Sequence, residues 1–342
     1  MAEPSRAEVW RQRGSSFSWQ PQDGGAPVDI FHVESGDPSD RAVVLVHGFP
    51  TCSIDWLDLV DRLSDQFYVC ALDFPGYGFS DKPVGWGYSL PRDAELLDHY
   101  VAHVVGVESA VVIAHDRGTS VSLLHTINAD AGRTATRVEH LMLTNGNIYL
   151  PLSNLTDFQR LVLDPGTAPN VLEVITPALL AQGMGQLTFS PPRAAGDPEV
   201  DALEATFAHN DGVKVLHETI QYLVERAEHE SEWLEALAAT DVPTTVIWGM
   251  NDPVSPMRVA THAWHNFLML KPGSNQLYLV PDANHYLQND RPDALASLVR
   301  HALDPELDPL PGAIGAAPGA PVLVDRSRPA MPRGSDVLGG TI

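Results

Sequence analysis

The chain has 342 residues, is 44% hydrophobic, and sets 21 basic against 44 acidic side chains, a formal net charge of −23. This length suits one large core with an insertion, and the acidic balance excludes nucleic acid and anionic membranes as partners. Two cysteines, Cys52 and Cys70, exclude a disulfide framework, and the polar start MAEPSRAEVWRQRG with no bilayer-length apolar run points to a cytoplasmic protein.

Residues 16–36 alternate apolar and polar positions around Gly24, Gly25 and Pro27, which predicts an antiparallel hairpin. Short, continuous apolar runs follow: AVVLV ending at Val46, FYVCAL ending at Leu72, SAVVIA ending at Ala114 and HLMLT ending at Thr144. Such runs suit parallel strands buried on both faces. Helical patterns at Pro91–Val105 and Thr119–Ala129 separate them. Strands alternating with helices predict a mostly parallel sheet built from right-handed crossovers.

After Thr144 the alternation stops for about ninety residues of helical periodicity with Pro and Gly breaks. Strand character returns at Thr244–Trp248 and Gln276–Val280, and the last helix is expected at Pro292–Leu303. The expected organisation is a core over residues 1–146, a helical cap over 147–240, a second core part over 241–304 and a tail over 305–342. The tail is rich in Pro, Gly and Ala and reads as flexible. Its run Val322–Val324 is able to dock against the body or a second subunit, which leaves a homodimer open.

The chemistry starts at VVIAHDRG, Val111–Gly118. An apolar strand runs into small-x-Asp-x-Gly and then a helix, the signature of a strand-to-helix elbow that lifts one side chain above the sheet edge. Asp116 occupies the apex. Taken alone, it would more readily be a helix N-cap. Three companions change that reading. His47-Gly48-Phe49-Pro50 follows the strand whose loop supplies one oxyanion-hole amide in such a fold; the amides would be those of Phe49 and Arg117. Asp252 follows the strand Thr244–Trp248, although an Asx turn before Pro253 would place an acid there too. His285 follows the strand Gln276–Val280. The order nucleophile, acid, histidine is the one this architecture uses.

With these segments in place the chain resembles the epoxide hydrolase and haloalkane dehalogenase branch of the α/β-hydrolases, and within it the mesoderm-specific transcript group. The matching segments are HGFPTCSIDW, ALDFPGYGFSDKP, AHDRGTSV, LTNGNIY, NDGVKVLHETIQYL and WGMNDPVSP. The resemblance implies an eight-stranded, mostly parallel sheet with a helical cap after the sixth strand. It also implies a hydrolase without cofactor, acting on a small apolar substrate with an epoxide or carbon–halogen bond. A carboxylate suits displacement at saturated carbon, which gives an alkyl ester; His285, oriented by Asp252, would then activate water.

The leaving group is what the residues leave open. An epoxide oxygen needs a proton donor, and Tyr222 and Tyr149 stand where the resemblance places such groups. A halide needs N–H donors, for which Asn145, Asn147, Trp56 and Trp86 are candidates. Many dehalogenases of this branch carry Trp after the nucleophile and Asn or Glu after His-Gly, where this chain has Arg117 and Phe49. Fluoroacetate dehalogenases share Asp-Arg-Gly but add an Arg where this chain has Ser120. Arg117 therefore reads as a structural ion-pair partner. The pairs His99/His103 and His262/His265 lack an obvious third ligand and read as helix faces, not metal sites. A non-catalytic member that keeps the pocket for binding is the reading from another class.

Overall fold

The computed structural model describes residues 3–304 and 319–327. Its centre is a twisted sheet of nine strands: β1 Gly14–Trp19, β2 Val28–Ser35, β3 Ala42–Val46, β4 Tyr68–Leu72, β5 Ser109–His115, β6 Arg137–Thr144, β7 Thr244–Gly249, β8 Gln276–Val280 and β9 Val322–Arg326. The spatial order is β1-β2-β4-β3-β5-β6-β7-β8-β9. The run β4-β3-β5-β6-β7-β8 is parallel, while β1, β2 and β9 pair antiparallel at the two edges. Every residue of β3, β4 and β7 is buried, as continuous apolar runs covered on both faces require.

The predicted hairpin pairs Gly14 with Val33 and Trp19 with Val28. The helix expected from Pro91 spans Leu90–His99 and continues through a wider turn to Val105. It packs against the helix Arg117–Asp130, while Pro292–Leu303 packs against Leu57–Leu63. Chain order along the sheet reverses between β3 and β5. Ligands of open α/β sheets sit beyond the carboxyl ends of strands at such a switch point, and the HGFP loop and Asp116 follow those two strands.

Two expectations are corrected. The sheet has nine strands instead of eight, because the ninth comes from the stretch predicted to be a flexible tail. Val322–Arg326 zips onto β8, Trp264 Nε1 donates to Asp325 Oδ2 at 3.2 Å, and Arg291 donates to the Gly319 carbonyl at 2.7 Å. The edge of β8 offered unpaired backbone groups, and this apolar run satisfies them. The polar N-terminus also holds a helix, Arg6–Arg13, opened by a capping box of Ser5 and Glu8.

Between β6 and β7 the chain is helical, with principal helices Asp157–Leu163, Ala168–Val174, Pro177–Thr188, Pro198–Ala208 and Tyr222–Ala239. The N-terminal helix reaches this insertion: Arg6 pairs with Asp58 of the core at 2.8 Å and with Glu199 of the insertion at 2.9 Å. Helices Pro177–Thr188 and Pro198–Ala208 pack closely at Gly185, where a Cβ would stand 2.6 Å from the Arg193 carbonyl oxygen and 2.7 Å from Val200 Cγ2. Two residues earlier, a Cβ on Gly183 would meet nothing within 4 Å. Gly185→Ala is therefore expected to lower stability by about 1–3 kcal/mol through overpacking. Gly183→Ala should raise it by about 0.5–1 kcal/mol through helix propensity. Urea unfolding of the two variants checks the opposite signs; equal effects would sink this packing account.

Candidate active site

β5 ends at His115, and Asp116 turns the chain into the helix Arg117–Asp130 with φ 49° and ψ −117°. That backbone lies outside the ordinary basins of an L-residue and costs on the order of 1–3 kcal/mol. Small neighbours make the turn fit. A Cβ on Gly118 would approach the Val46 carbonyl oxygen to 2.4 Å, and one on Gly48 would approach Asp116 Cβ to 2.4 Å. The turn is pinned by bonds from Thr119 N–H and Oγ1 to the Asp116 carbonyl, at 3.1 and 2.7 Å.

The Asp116 side chain makes no capping bond to its helix, which removes the N-cap alternative. The carboxylate, 1% exposed, instead faces four other groups. Oδ1 accepts from the Phe49 amide at 2.9 Å and from the Tyr222 hydroxyl at 3.5 Å. Oδ2 accepts from Asn147 Nδ2 at 3.2 Å and lies 3.6 Å from His285 Nε2. The structure thus brings Asp116, Phe49, Asn147, Tyr222 and His285 together from five separate stretches of sequence.

Asp252 serves two masters. Its Oδ1 accepts from the amides of Val254 and Ser255 at 2.7 and 2.9 Å, the local turn. Its Oδ2 accepts from His285 Nδ1 at 2.8 Å and from Asn145 Nδ2 at 2.9 Å. The turn and the histidine contact coexist because each uses one oxygen. Asn145, weighed as a halide donor, is spent on Asp252 and on the Gly249 amide, which donates to its Oδ1 at 2.9 Å. Its own signal was positional: it closes β6 beside the acid-bearing β7.

Several other predicted residues land elsewhere. Tyr149 stacks on His262, ring centroids 4.0 Å apart, and no bond joins its hydroxyl to Asp116 among the described residues; as a partner of the carboxylate it is withdrawn. Trp86 Nε1 donates to the Ala26 carbonyl. Trp56 is buried with its ring 6.4 Å from that of His115. Ser120 lies within the first turns of the helix, buried. The Arg117 guanidinium pairs with Asp93, both buried, as expected of a structural ion pair. Its Cζ also lies over the rings of Tyr77 and Tyr222, at 5.1 and 5.7 Å.

Two histidines missed as positioning groups frame the site. His115 Nε2 must carry a proton, because it bonds the His285 carbonyl at 2.9 Å. Burial first and the neighbouring His285 charge next push its pKa down to about 3, so it stays neutral. His47 accepts at Nε2 from the Phe74 amide at 3.0 Å, so Nδ1 donates to the Gly48 carbonyl at 2.9 Å. Its pKa is held near 3 chiefly by burial. The His of His-Gly thus fixes the loop that presents the Phe49 amide.

Burial works against a charged His285, but Asp252 and Asp116 outweigh it and push its pKa up to about 10. Burial likewise works against the Asp116 anion; the His285 contact and the Phe49 amide overcome it, and its pKa is lowered. The two shifts favour an imidazolium on the Asp116 carboxylate at neutral pH, with Asp252 on the other side of the ring. In Tyr222, burial and then the Asp116 charge hold the phenolic proton.

A cavity of about 450 Å³ lies between the core and the insertion. Phe158, Ile175, Leu180, Met184, Val254 and Tyr286 give it an apolar wall, and His285 and Phe49 stand at its inner side. Asp116 does not line it; the carboxylate lies behind these two residues.

A mostly parallel sheet with an elbow after its fifth strand defines the α/β-hydrolase class. The chain belongs to the alpha/beta hydrolase fold family, whose model matches residues 41–292. It is similar to a Mycobacterium tuberculosis protein named "Putative hydrolase LipZ", 32% identical over 296 residues, covering 86% of this chain and 97% of that one. It is 30% identical over 293 residues to the mesoderm-specific transcript homolog protein of Bos taurus, covering 83% of each. Haloalkane dehalogenase 2 of M. tuberculosis is 27% identical over 283 residues, covering 79% of this chain and 90% of that one. Among solved structures, the epoxide hydrolase CorEH matches the fold with a TM-score of 0.67 at 18% identity, covering 86% of this chain and 99% of that one.

The two flanking carboxylates generate a direct prediction. In an NMR titration the His285 ring should remain protonated at pH 8 and lose its proton near pH 10. In Asp116→Asn it should titrate at clearly lower pH, because one anion is gone while the shape is kept. Since folding raises this pKa, the stability it contributes is full below pH 6.5 and lost as pH rises through about 10. A wild-type ring titrating near 6.5 would refute the charge assignment.

Proposed function

We propose that this hydrolase opens epoxides to diols through an alkyl ester on Asp116. The observation that carries this reading is the Tyr222 hydroxyl at 3.5 Å from Asp116 Oδ1, a protonated donor on the carboxylate it would serve. The helical insertion acts as the cap that closes the site and supplies this tyrosine.

In the first step Asp116 Oδ2 displaces the epoxide oxygen from one ring carbon while Tyr222 gives its proton to that oxygen. The products are a hydroxyalkyl ester and a phenolate. Ester formation removes the Asp116 charge, so the pKa of His285 falls and the imidazolium gives up its proton, by way of solvent, to the Tyr222 phenolate. Neutral His285 then takes a proton from water as the hydroxide adds to the ester carbonyl. The oxygen that becomes negative is Oδ1, already held by the Phe49 amide; Arg117 N–H is the second donor. Collapse releases the diol, with the His285 proton going to the departing alkoxide, and the carboxylic acid left on Asp116 then passes its proton to His285, which restores the resting carboxylate and imidazolium. Asp252 keeps Nδ1 protonated and the ring aimed throughout. The sum is epoxide plus water to diol, and no cofactor enters.

A second reading, halide displacement, is favoured by one contact: Asn147 Nδ2 lies 3.2 Å from Asp116 Oδ2 and 3.5 Å from the Tyr222 oxygen. This amide would bind a departing halide as readily as an alkoxide. The relative named haloalkane dehalogenase 2 makes the same chemistry worth testing.

The deciding experiment incubates His285→Gln with mixed epoxides and bromoalkanes and weighs the peptide that holds Asp116. Alkylation should persist because water is no longer activated, and the adduct mass names the leaving-group class. An adduct retaining the added oxygen supports epoxide opening; a bare alkyl adduct supports halide displacement. No adduct on Asp116 from either set would remove both readings. Tyr222→Phe is expected to slow epoxide turnover by about 10²–10⁴-fold, the usual scale for a lost general acid. Bromoalkane turnover should change far less.

A further inference from the structure

The cavity wall has a charge asymmetry that bears on what can enter. Among the described residues no Lys or Arg side chain lines it. Its one formal charge besides His285 is an anion, Asp157, exposed at the start of the helix Asp157–Leu163. His285 brings no net attraction for an anion, since Asp116 and Asp252 already flank it. The Arg117 guanidinium is behind the wall and paired with Asp93. A carboxylate entering here would lose water and gain no partner, which is costly.

The wall also has a direction. Leu179 and Leu187 line the cavity yet are 57% and 44% exposed, so they form its outer lip, and Val174 beside Ile175 is 69% exposed. From that lip to His285 the lining is mostly apolar, with Thr156, Gln159 and Thr188 as its uncharged polar members. Exposed leucines contiguous with a lined cavity mark a surface awaiting an apolar occupant. Gly183 faces this space, and a Cβ there would meet nothing within 4 Å.

We propose that the cavity takes an uncharged substrate whose reactive carbon is carried on an extended alkyl tail, the tail running from His285 to the lip at Leu179 and Leu187, and that the wall with Asp157 rejects tails bearing a carboxylate. The inference rests on the hydrolytic reading for the word substrate, and on the cavity alone for the ligand class.

Calorimetry with unreactive primary alkylamides and the matching alkanoates, C4 to C10, tests it on the intact protein. Amide affinity should rise roughly three- to fourfold per methylene until the tail fills the cavity. Alkanoates should bind at least about tenfold more weakly than amides of equal length. Asp157→Asn should close that gap by about two- to fivefold, the modest effect of one exposed charge. Gly183→Phe, at a position with open space, should end the gain from chain length several carbons earlier. A flat chain-length series, alkanoates equal to amides, or a series unaltered by Gly183→Phe would overturn the proposal. Adducts on Asp116 without amide binding would overturn this inference and keep the reaction. Length-dependent amide binding without any adduct would do the reverse.

Discussion

The site depends on a backbone conformation that the Asp116 side chain does nothing to stabilise. At φ 49° and ψ −117° the residue is strained, and it forgoes the capping bond that an aspartate at a helix start ordinarily makes. The compensation is spread over neighbours: bonds from Thr119 to the Asp116 carbonyl, and glycines at 48 and 118 that let the β3 loop and the helix close in. What the strain secures is aim. The carboxylate points away from its own helix toward the Phe49 amide, Asn147 and His285, which could not reach a capping aspartate. The same close approach puts the Phe49 N–H on Oδ1 before any reaction, so the charge of a tetrahedral intermediate would develop where a donor already waits.

The second dependence is electrostatic. One histidine lies between two buried carboxylates, and each carboxylate has further donors besides the histidine. Asp252 is held by the Val254, Ser255 and Asn145 donors, contacts that a change at Asp116 leaves in place. Asp116 is the variable charge. In the proposed reaction its conversion to a neutral ester changes His285 from a stable imidazolium into a base, so alkylation itself arms the hydrolytic step. A protein that used the cavity only for binding would have no need of this coupling, and the buried like charges would be a pure cost.

The features legible in the sequence were those written in consecutive residues. Continuous apolar runs gave the inner strands, and the small-x-Asp-x-Gly pattern gave the elbow, because sheet burial and tight turns restrict residue type locally. Asp252 and His285 were legible by position after strands. Features that depend on tertiary pairing were not. The run Val322–Val324 looks like a stray apolar patch in a Pro/Gly-rich tail until β8 is seen to lack a neighbour. Tyr149 and Tyr222, one at each end of the insertion, were both candidates on paper, with Tyr222 the favoured one; packing sends Tyr149 to His262 and Tyr222 to Asp116. Asn145 and Asn147 differ by two residues yet serve opposite ends of the charge relay, since the chain turns at Asn145, where φ is 37°. The Asp252 alternatives were posed as rivals, whereas a carboxylate with two oxygens satisfies both.

The groups that would decide the leaving group in the proposed reaction belong to the insertion and not to the sheet. Asn147 starts the insertion just after β6, and Tyr222 opens the helix that leads back to β7. One turn beyond Tyr222, buried Arg226 donates to the Ile148 carbonyl, which ties the departing segment to the returning helix. Asn147 and Tyr222 are thus positioned by the closure of the insertion on itself, over a carboxylate and a histidine that the sheet holds independently. This separation fits one core being shared by relatives named as a hydrolase and as a haloalkane dehalogenase. In the proposed reaction the sheet would fix attack at carbon and the later attack of water, while the two chain ends of the insertion would determine what receives the departing charge. For this chain those ends present one hydroxyl and one amide, and the hydroxyl is the only one of the two that can complete the departure of an alkoxide by giving up a proton.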